Sequence, residues 1–154
     1  MGVEIERKFL VDSKSVPDSG EEIPIIQAYL CAEKDRTVRV RKAGERAFFT
    51  IKGEMKGISR KEFEYEIPPE DAEEMIRMAV GHPVEKVRRI VFHNQDRWEV
   101  DFFSGLNEGL VVAELELEKA DEEFEKPSWI KEEVSGQLRY QNSQLAFFPY
   151  CDWK

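Results

Sequence analysis

The sequence predicts a mainly β fold of the α+β class: an eight-stranded antiparallel closed barrel with a charged lumen and a few helices at its periphery. Three observations carry this. Charged and apolar residues alternate at spacing two in segment after segment of the 154 residues, as they do on strands with two unlike faces. Glu, Asp, Lys and Arg nearly monopolise one face, where a merely solvated face would be mixed with Ser, Thr, Asn and Gln. A single well-formed helical pattern interrupts the strands. Closure removes exposed sheet edges and turns the charged face inward. The apolar outer faces then need cover from helices or from a second subunit, which leaves room for a homodimer.

The first strand, Val3 to Leu10, puts Glu4, Glu6 and Lys8 on one face and Val3, Ile5 and Phe9 on the other, continuing to Val11. Asp12 to Glu22 is rich in Ser, Pro, Asp and Gly and reads as a loop; Ile25 to Leu30 is the second strand. Thr37 to Lys42 and Ala47 to Lys52 pair as a hairpin across Ala43-Gly44-Glu45-Arg46. Beyond the turn Gly53 to Gly57, Arg60 to Ile67 sets Arg60, Glu62, Glu64 and Glu66 against Phe63, Tyr65 and Ile67. Two prolines end that strand. Pro69 to Val80 is the predicted helix, with acids in its first turns, apolar residues at 72, 75, 76, 79 and 80, and Gly81 as its stop. Glu85 to His93 and Arg97 to Phe103 form a second hairpin across Asn94-Gln95-Asp96, and Val111 to Glu118 follows the turn Gly105 to Gly109. From Lys119 the alternation ceases, and Ala120 to Lys126, Ser128 to Val134 and Asn142 to Phe148 read as short helical pieces.

Length and composition fit one soluble domain over residues 1–154. The net charge of −9 argues against a nucleic-acid partner, which selects a basic balance or a basic stripe. No basic segment followed by an apolar run opens the chain, and no stretch approaches the roughly 18 apolar residues of a membrane helix, so a cytoplasmic protein without membrane contact is expected. Cys31 and Cys151 are far apart and lack metal or disulfide spacing. His82 and His93 have no partner pattern and read as surface or capping residues. Trp98, Trp129, Trp153, Phe147 and Phe148 read as packing residues.

The charged faces together hold eight acids (Glu4, Glu6, Glu62, Glu64, Glu99, Asp101, Glu114, Glu116) and six bases (Lys8, Arg39, Arg41, Lys52, Lys86, Arg88). Charges taken out of water cost several kcal/mol each unless compensated. The acids exceed the bases by two, a balance that alone repels a polyphosphate and that one divalent cation neutralises and two reverse. Hard cations choose carboxylate oxygens, Arg gives bidentate phosphate contacts and Lys a point charge. This is equipment for phosphoryl chemistry. Arg60, Glu66 and Glu118 lie in phase but near strand ends, where rim ion pairs serve as well as ligation.

In order and spacing these residues resemble the CYTH superfamily, the triphosphate tunnel metalloenzymes, over nearly the whole chain. The family's Glu-x-Glu-x-Lys hallmark stands here as Glu4-Ile5-Glu6-Arg7-Lys8. Arg39-x-Arg41, Thr50-x-Lys52, Arg60-x-Glu62-x-Glu64, Glu85-Lys86-x-Arg88, Glu99-x-Asp101 and Glu114-x-Glu116 follow. The resemblance implies a tunnel that binds a triphosphate-bearing small molecule with Mg²⁺ or Mn²⁺. Lys8, Arg39, Arg41, Lys52, Lys86 and Arg88 would hold phosphates; Glu4, Glu6, Glu114 and Glu116 would hold metal, with Glu62, Glu64, Glu99 and Asp101 as further metal or water-positioning residues. Among these, Lys8, Arg41, Lys52 and Glu64 are assigned to the catalytic step. Glu132-Glu133-Val134 and Arg139-Tyr140-x-Asn142-x-x-Leu145-Ala146 resemble the family's C-terminal segment, which plugs or lines one tunnel mouth. Arg139 is expected to contact substrate there, while Leu138 departs from the Lys found beside it in other members, a change that bears on specificity. The implied reaction is hydrolysis of inorganic tripolyphosphate to pyrophosphate and orthophosphate. Nucleoside or thiamine triphosphate hydrolysis, ATP cyclisation, a non-catalytic polyphosphate- or nucleotide-binding module, and a purely structural barrel are the alternatives.

Overall fold

The computed structural model describes residues 2–153; Met1 and Lys154, the ends of the expected domain, lie outside the described residues. Its strands are β1 (Val3–Val11), β2 (Glu22–Glu33), β3 (Arg36–Ala43), β4 (Arg46–Gly53), β5 (Ser59–Ile67), β6 (Val80–His93), β7 (Asp96–Phe103), β8 (Val111–Glu116) and β9 (Ile130–Glu133). They form one antiparallel sheet in the order β5-β4-β3-β2-β6-β7-β8-β1-β9, and an added β1–β5 pairing closes the first eight into a barrel. All eight expected strands are present. Hairpins between successive strands account for most of the closure, as the turn chemistry at residues 44, 53–57 and 94–96 requires.

The closing seam is divided. One edge of β1 pairs with β5 through Val3, Glu4 and Ile5, and with β9 through Phe9 and Val11, while its other edge pairs with β8 from Glu6 to Leu10. Glu6, Arg7 and Lys8 therefore lie where two different partners meet.

Five expectations from sequence are corrected. The helix α1 covers only Pro69–Ile76; the apolar residues at 79 and 80 are as compatible with a strand, and Val80 pairs with Tyr29 of β2 instead. Gly81 is not a helix stop but a strand residue at φ +74, where a Cβ would stand 2.7 Å from the carbonyl oxygen of Ala146. Ser128 to Val134 is not helical: Ile130–Glu133 is β9, drawn onto the edge of β1 that β5 leaves unpaired. Ala120 to Lys126 is a turn followed by irregular chain, held by Phe124, whose ring meets Phe9 and Trp98 edge-on. The last helical piece is shorter than expected, with α2 at Asn142–Leu145.

The hydrophobic core is outside the barrel, between the sheet and what wraps it. Phe9, Trp98, Val100, Ala113, Leu115 and Trp129 pack beneath residues 124–130. Tyr29, Val84, Phe103, Val112 and Leu145 pack beneath the C-terminal segment, and Val40 and Ala47 beneath Ala72 of α1. Burying these outer faces is what permits the inner face to be polar. Among the described residues no helix is long and apolar enough to cross a membrane.

Candidate active site

The lumen contains a cavity of about 160 Å³ lined by seven acids (Glu4, Glu6, Glu62, Glu64, Glu99, Glu114, Glu116) and seven bases (Lys8, Arg39, Arg41, Lys52, Arg60, Lys86, Arg88). Tyr29, Thr37, Gln141, Asn142 and Ser143 complete the wall. Strand alternation puts them there: each contributing strand sends every second side chain inward. Thirteen of the fifteen residues named from sequence thus converge on one cavity.

Two do not line it. Asp101 is 1% exposed and lies in the wall, chelating Arg88 at 2.7 and 2.9 Å and contacting Lys86 at 2.8 Å. Arg139 stacks on the ring of Trp153, 3.8 Å from its centroid, and Leu138 beside it is exposed. Sequence reasoning held back Arg60, which lines both this cavity and a smaller adjoining one beside Ser135 and Gln137; its phase with Glu62 and Glu64 was the signal. Asn142 lies within the C-terminal motif expected to line a tunnel mouth, but neither it nor Ser143 was named as a site residue, because period-two reasoning does not apply beyond β8.

The basic residues are already tethered. Lys52 Nζ donates to Glu4 at 2.9 Å and lies 3.5 Å from Glu62. Arg39 Nη2 lies 3.3 Å from both Thr50 Oγ1 and Glu64 Oε2, while Thr50 Oγ1 donates to Glu64 at 2.8 Å. Lys8 Nζ is 3.4 Å from Glu114 and donates to the Tyr140 carbonyl at 3.2 Å. Arg88 also reaches Glu99 and Glu114 at 3.3 and 3.4 Å. These are charge-assisted contacts that fix long side chains before any ligand arrives. The Nε atoms of Arg39 and Arg60 remain buried without a hydrogen-bond partner.

Glu6 and Glu116 behave differently. They face each other across β1 and β8, a like-charge register that destabilises a sheet, and among the described residues neither forms an ion pair. Burial, then the charges of Glu114 and Glu4, push Glu6 up to about 8. Burial together with Glu4, Glu62 and Glu99 raises Glu116, and burial with Glu4 raises Glu62. The opposite holds where cations dominate: burial pushes Glu114 up, but Lys8 and Arg88 outweigh it and hold it at about 2. Burial lowers Lys86 to about 7 and Arg41 to about 10, the latter aided by Arg39 and Arg88. The lumen is thus divided into an acid-rich side around Glu6, Glu62 and Glu116 and a base-rich side around Arg41, Lys86 and Arg88. Among the described residues no three acids form a ready-made metal cluster.

A closed antiparallel tunnel with interleaved carboxylates and guanidinium groups around an anion-sized cavity defines a class of barrel that encloses a charged ligand. The CYTH domain family matches residues 2–146, and this chain belongs to that family. It is 43% identical to the inorganic triphosphatase of Acetivibrio thermocellus over all of this chain and 99% of that protein. It is 38% identical to the inorganic triphosphatase of Nitrosomonas europaea over 93% of this chain and 96% of that one. The crystal structure of an inorganic triphosphatase superposes with a TM-score of 0.67 at 33% identity, covering 93% of both chains.

Proposed function

We propose that the protein is a divalent-cation-dependent triphosphatase that hydrolyses inorganic tripolyphosphate to pyrophosphate and orthophosphate. The observation that carries this reading is the pairing of Glu6 with Glu116, two carboxylates without an ion-pair partner among the described residues, in a cavity that also holds seven bases. Bases alone would serve an anion-binding protein, and a structural barrel would pair its acids. An acid-rich side facing a base-rich side fits a ligand that is itself a cation joined to a polyanion.

Glu6, Glu116, Glu4 and Glu62 suit a hard ion, Mg²⁺ or Mn²⁺: the raised carboxyls of Glu6, Glu116 and Glu62 report negative charge in need of a counter-ion, and Glu4, where the cost of burial is outweighed by Lys52 and the carboxyl lies below its usual value, adds to that charge. The lack of a finished protein cluster suits an ion whose remaining ligands are phosphate oxygens and water. Bound there, the ion would draw charge from the phosphates and make water a better nucleophile. Lys8, Arg39, Arg41, Lys52, Arg60, Lys86 and Arg88 hold and align the triphosphate, so that catalysis is mostly positioning and charge stabilisation. Glu64, fixed by Thr50 and Arg39, is the acceptor we assign to the attacking water. Glu99 and Glu114 hold Arg88 in place.

The cavity is smaller than the 300 Å³ or more typical of drug-sized ligand sites, and among the described residues Tyr29 is its one aromatic lining residue. A nucleobase seeks a stacking face, so a compact inorganic chain is the better fit. The relatives named inorganic triphosphatase agree with this choice. The reading carries with it a cytoplasmic setting, in keeping with the free thiols of Cys31 and Cys151.

The test is phosphate release from tripolyphosphate, ATP and thiamine triphosphate with Mg²⁺, Mn²⁺ or chelator. Rapid, metal-dependent release from tripolyphosphate in preference to the other two is expected; cyclic AMP from ATP, or tight binding with no product, would overturn it. Glu116→Gln should lose at least about a hundredfold in turnover while melting at the wild-type temperature.

A further inference from the structure

The side-chain amides of Gln27 and Asn142 can be oriented by their neighbours, since their oxygen only accepts and their nitrogen only donates. Arg41 has donors alone, so the Gln27 oxygen lying 2.9 Å from Arg41 Nε is an acceptor. Gln27 Nε2 then points the other way, 3.2 Å from Tyr29 Oη and 3.1 Å from Asn142 Oδ1. Lys86 Nζ approaches the same Asn142 Oδ1 at 2.9 Å. Two donors meet on one oxygen, and Gln27 imposes this orientation whatever the charge on Lys86. Neither donor can turn to water, because Gln27 is wholly buried and the Lys86 side chain is 1% exposed. The Asn142 Nδ2 group is the end left over; it makes no hydrogen bond among the described residues, and Asn142 lines the charged cavity.

From this geometry, and resting on the triphosphatase reading, we propose that Asn142 is a substrate-binding residue whose Nδ2 donates to a phosphate oxygen, and that Gln27 is the positioning residue that aims both Asn142 and Arg41. Among the described residues, the C-terminal segment brings the neutral side chains of Gln141, Asn142 and Ser143 to the cavity, while Arg139 is engaged with Trp153. A neutral donor beside Lys86 therefore supplies a hydrogen bond without adding to the repulsion among Arg41, Lys86 and Arg88.

The discriminating variant is Asn142→Asp. It keeps the shape and the oxygen that accepts from Gln27 and Lys86, but replaces the donor with an anionic oxygen. A donor role predicts a KM for tripolyphosphate raised about tenfold or more with an unchanged melting temperature; a merely structural role predicts no change in either. Asn142→Ala, which removes both ends of the amide, serves as the second variant and should also raise KM about tenfold. Wild-type turnover with KM unchanged in both variants overturns this inference alone. If the wild-type protein neither hydrolyses tripolyphosphate nor binds it in a calorimetric titration, the triphosphatase reading falls and the inference falls with it.

Discussion

Two acids of the lumen, Glu6 and Asp101, look alike in sequence and differ in kind. Asp101 is buried against Arg88 and Lys86, whose charges outweigh the cost of burial and hold its carboxyl well below the usual range. Removing one partner of such a group strands the others, so Asp101→Ala should cost about 3–5 kcal/mol in denaturant unfolding. Glu6 is the reverse. Its pKa is raised in the folded state to about 8, so below the unfolded carboxyl value it carries no penalty, and stability is lost as pH rises through the folded value. Glu6→Gln is expected to match the metal-free wild-type melting temperature near pH 5 and to exceed it by a few degrees at pH 8.5, while losing activity. A melting series over pH in chelator decides this; an equal pH dependence in both proteins would mean that Glu6 is compensated. Both acids were legible as lumen residues from spacing alone. Their division into wall and site was not, because it depends on which strand lies opposite.

Among the elements, strand alternation was a dependable guide where both edges of the strand were paired, as in β3, β4 and β7. It was misleading at Val80, where an apolar residue suits helix or strand and pairing with β2 decided the outcome. It had nothing to say about β9, four residues whose strand character comes from the exposed edge of β1. Gly81 shows how such an element serves the site. Its positive φ lets β6 pass against the Ala146 carbonyl, with His82 N donating to that same oxygen at 2.7 Å, which seats the segment carrying Asn142. Gly81→Ala combines backbone strain with a close approach and should destabilise by about 1–3 kcal/mol, read by chemical denaturation, with KM rising as the segment shifts.

At the scale of the molecule, the inverted arrangement couples stability to ligand. The lumen is a set of charges balanced seven against seven, but sorted into unlike sides, so the cation and triphosphate together relieve a stress that neither relieves alone. Tripolyphosphate with Mn²⁺ or Mg²⁺ at about 100 times its Kd should add about 2.7 kcal/mol, or roughly 5–10 °C in melting temperature for a chain of this size. Either component by itself should give less than half of that shift in a thermal melt.

The sequence by itself determined the strand count of the barrel, the inward charged face, the separate apolar outer face and most of the residues around the cavity, because period-two alternation is a local property of the chain. The tertiary structure decided what those charges do. Register and closure set Glu6 against Glu116, put Arg60 into the cavity, drew Asp101 into the wall and carried Asn142 from beyond the last barrel strand to the side of Lys86. These are contacts between residues distant in sequence, and electrostatic roles depend on the distance between charges and on their burial, neither of which a local pattern contains.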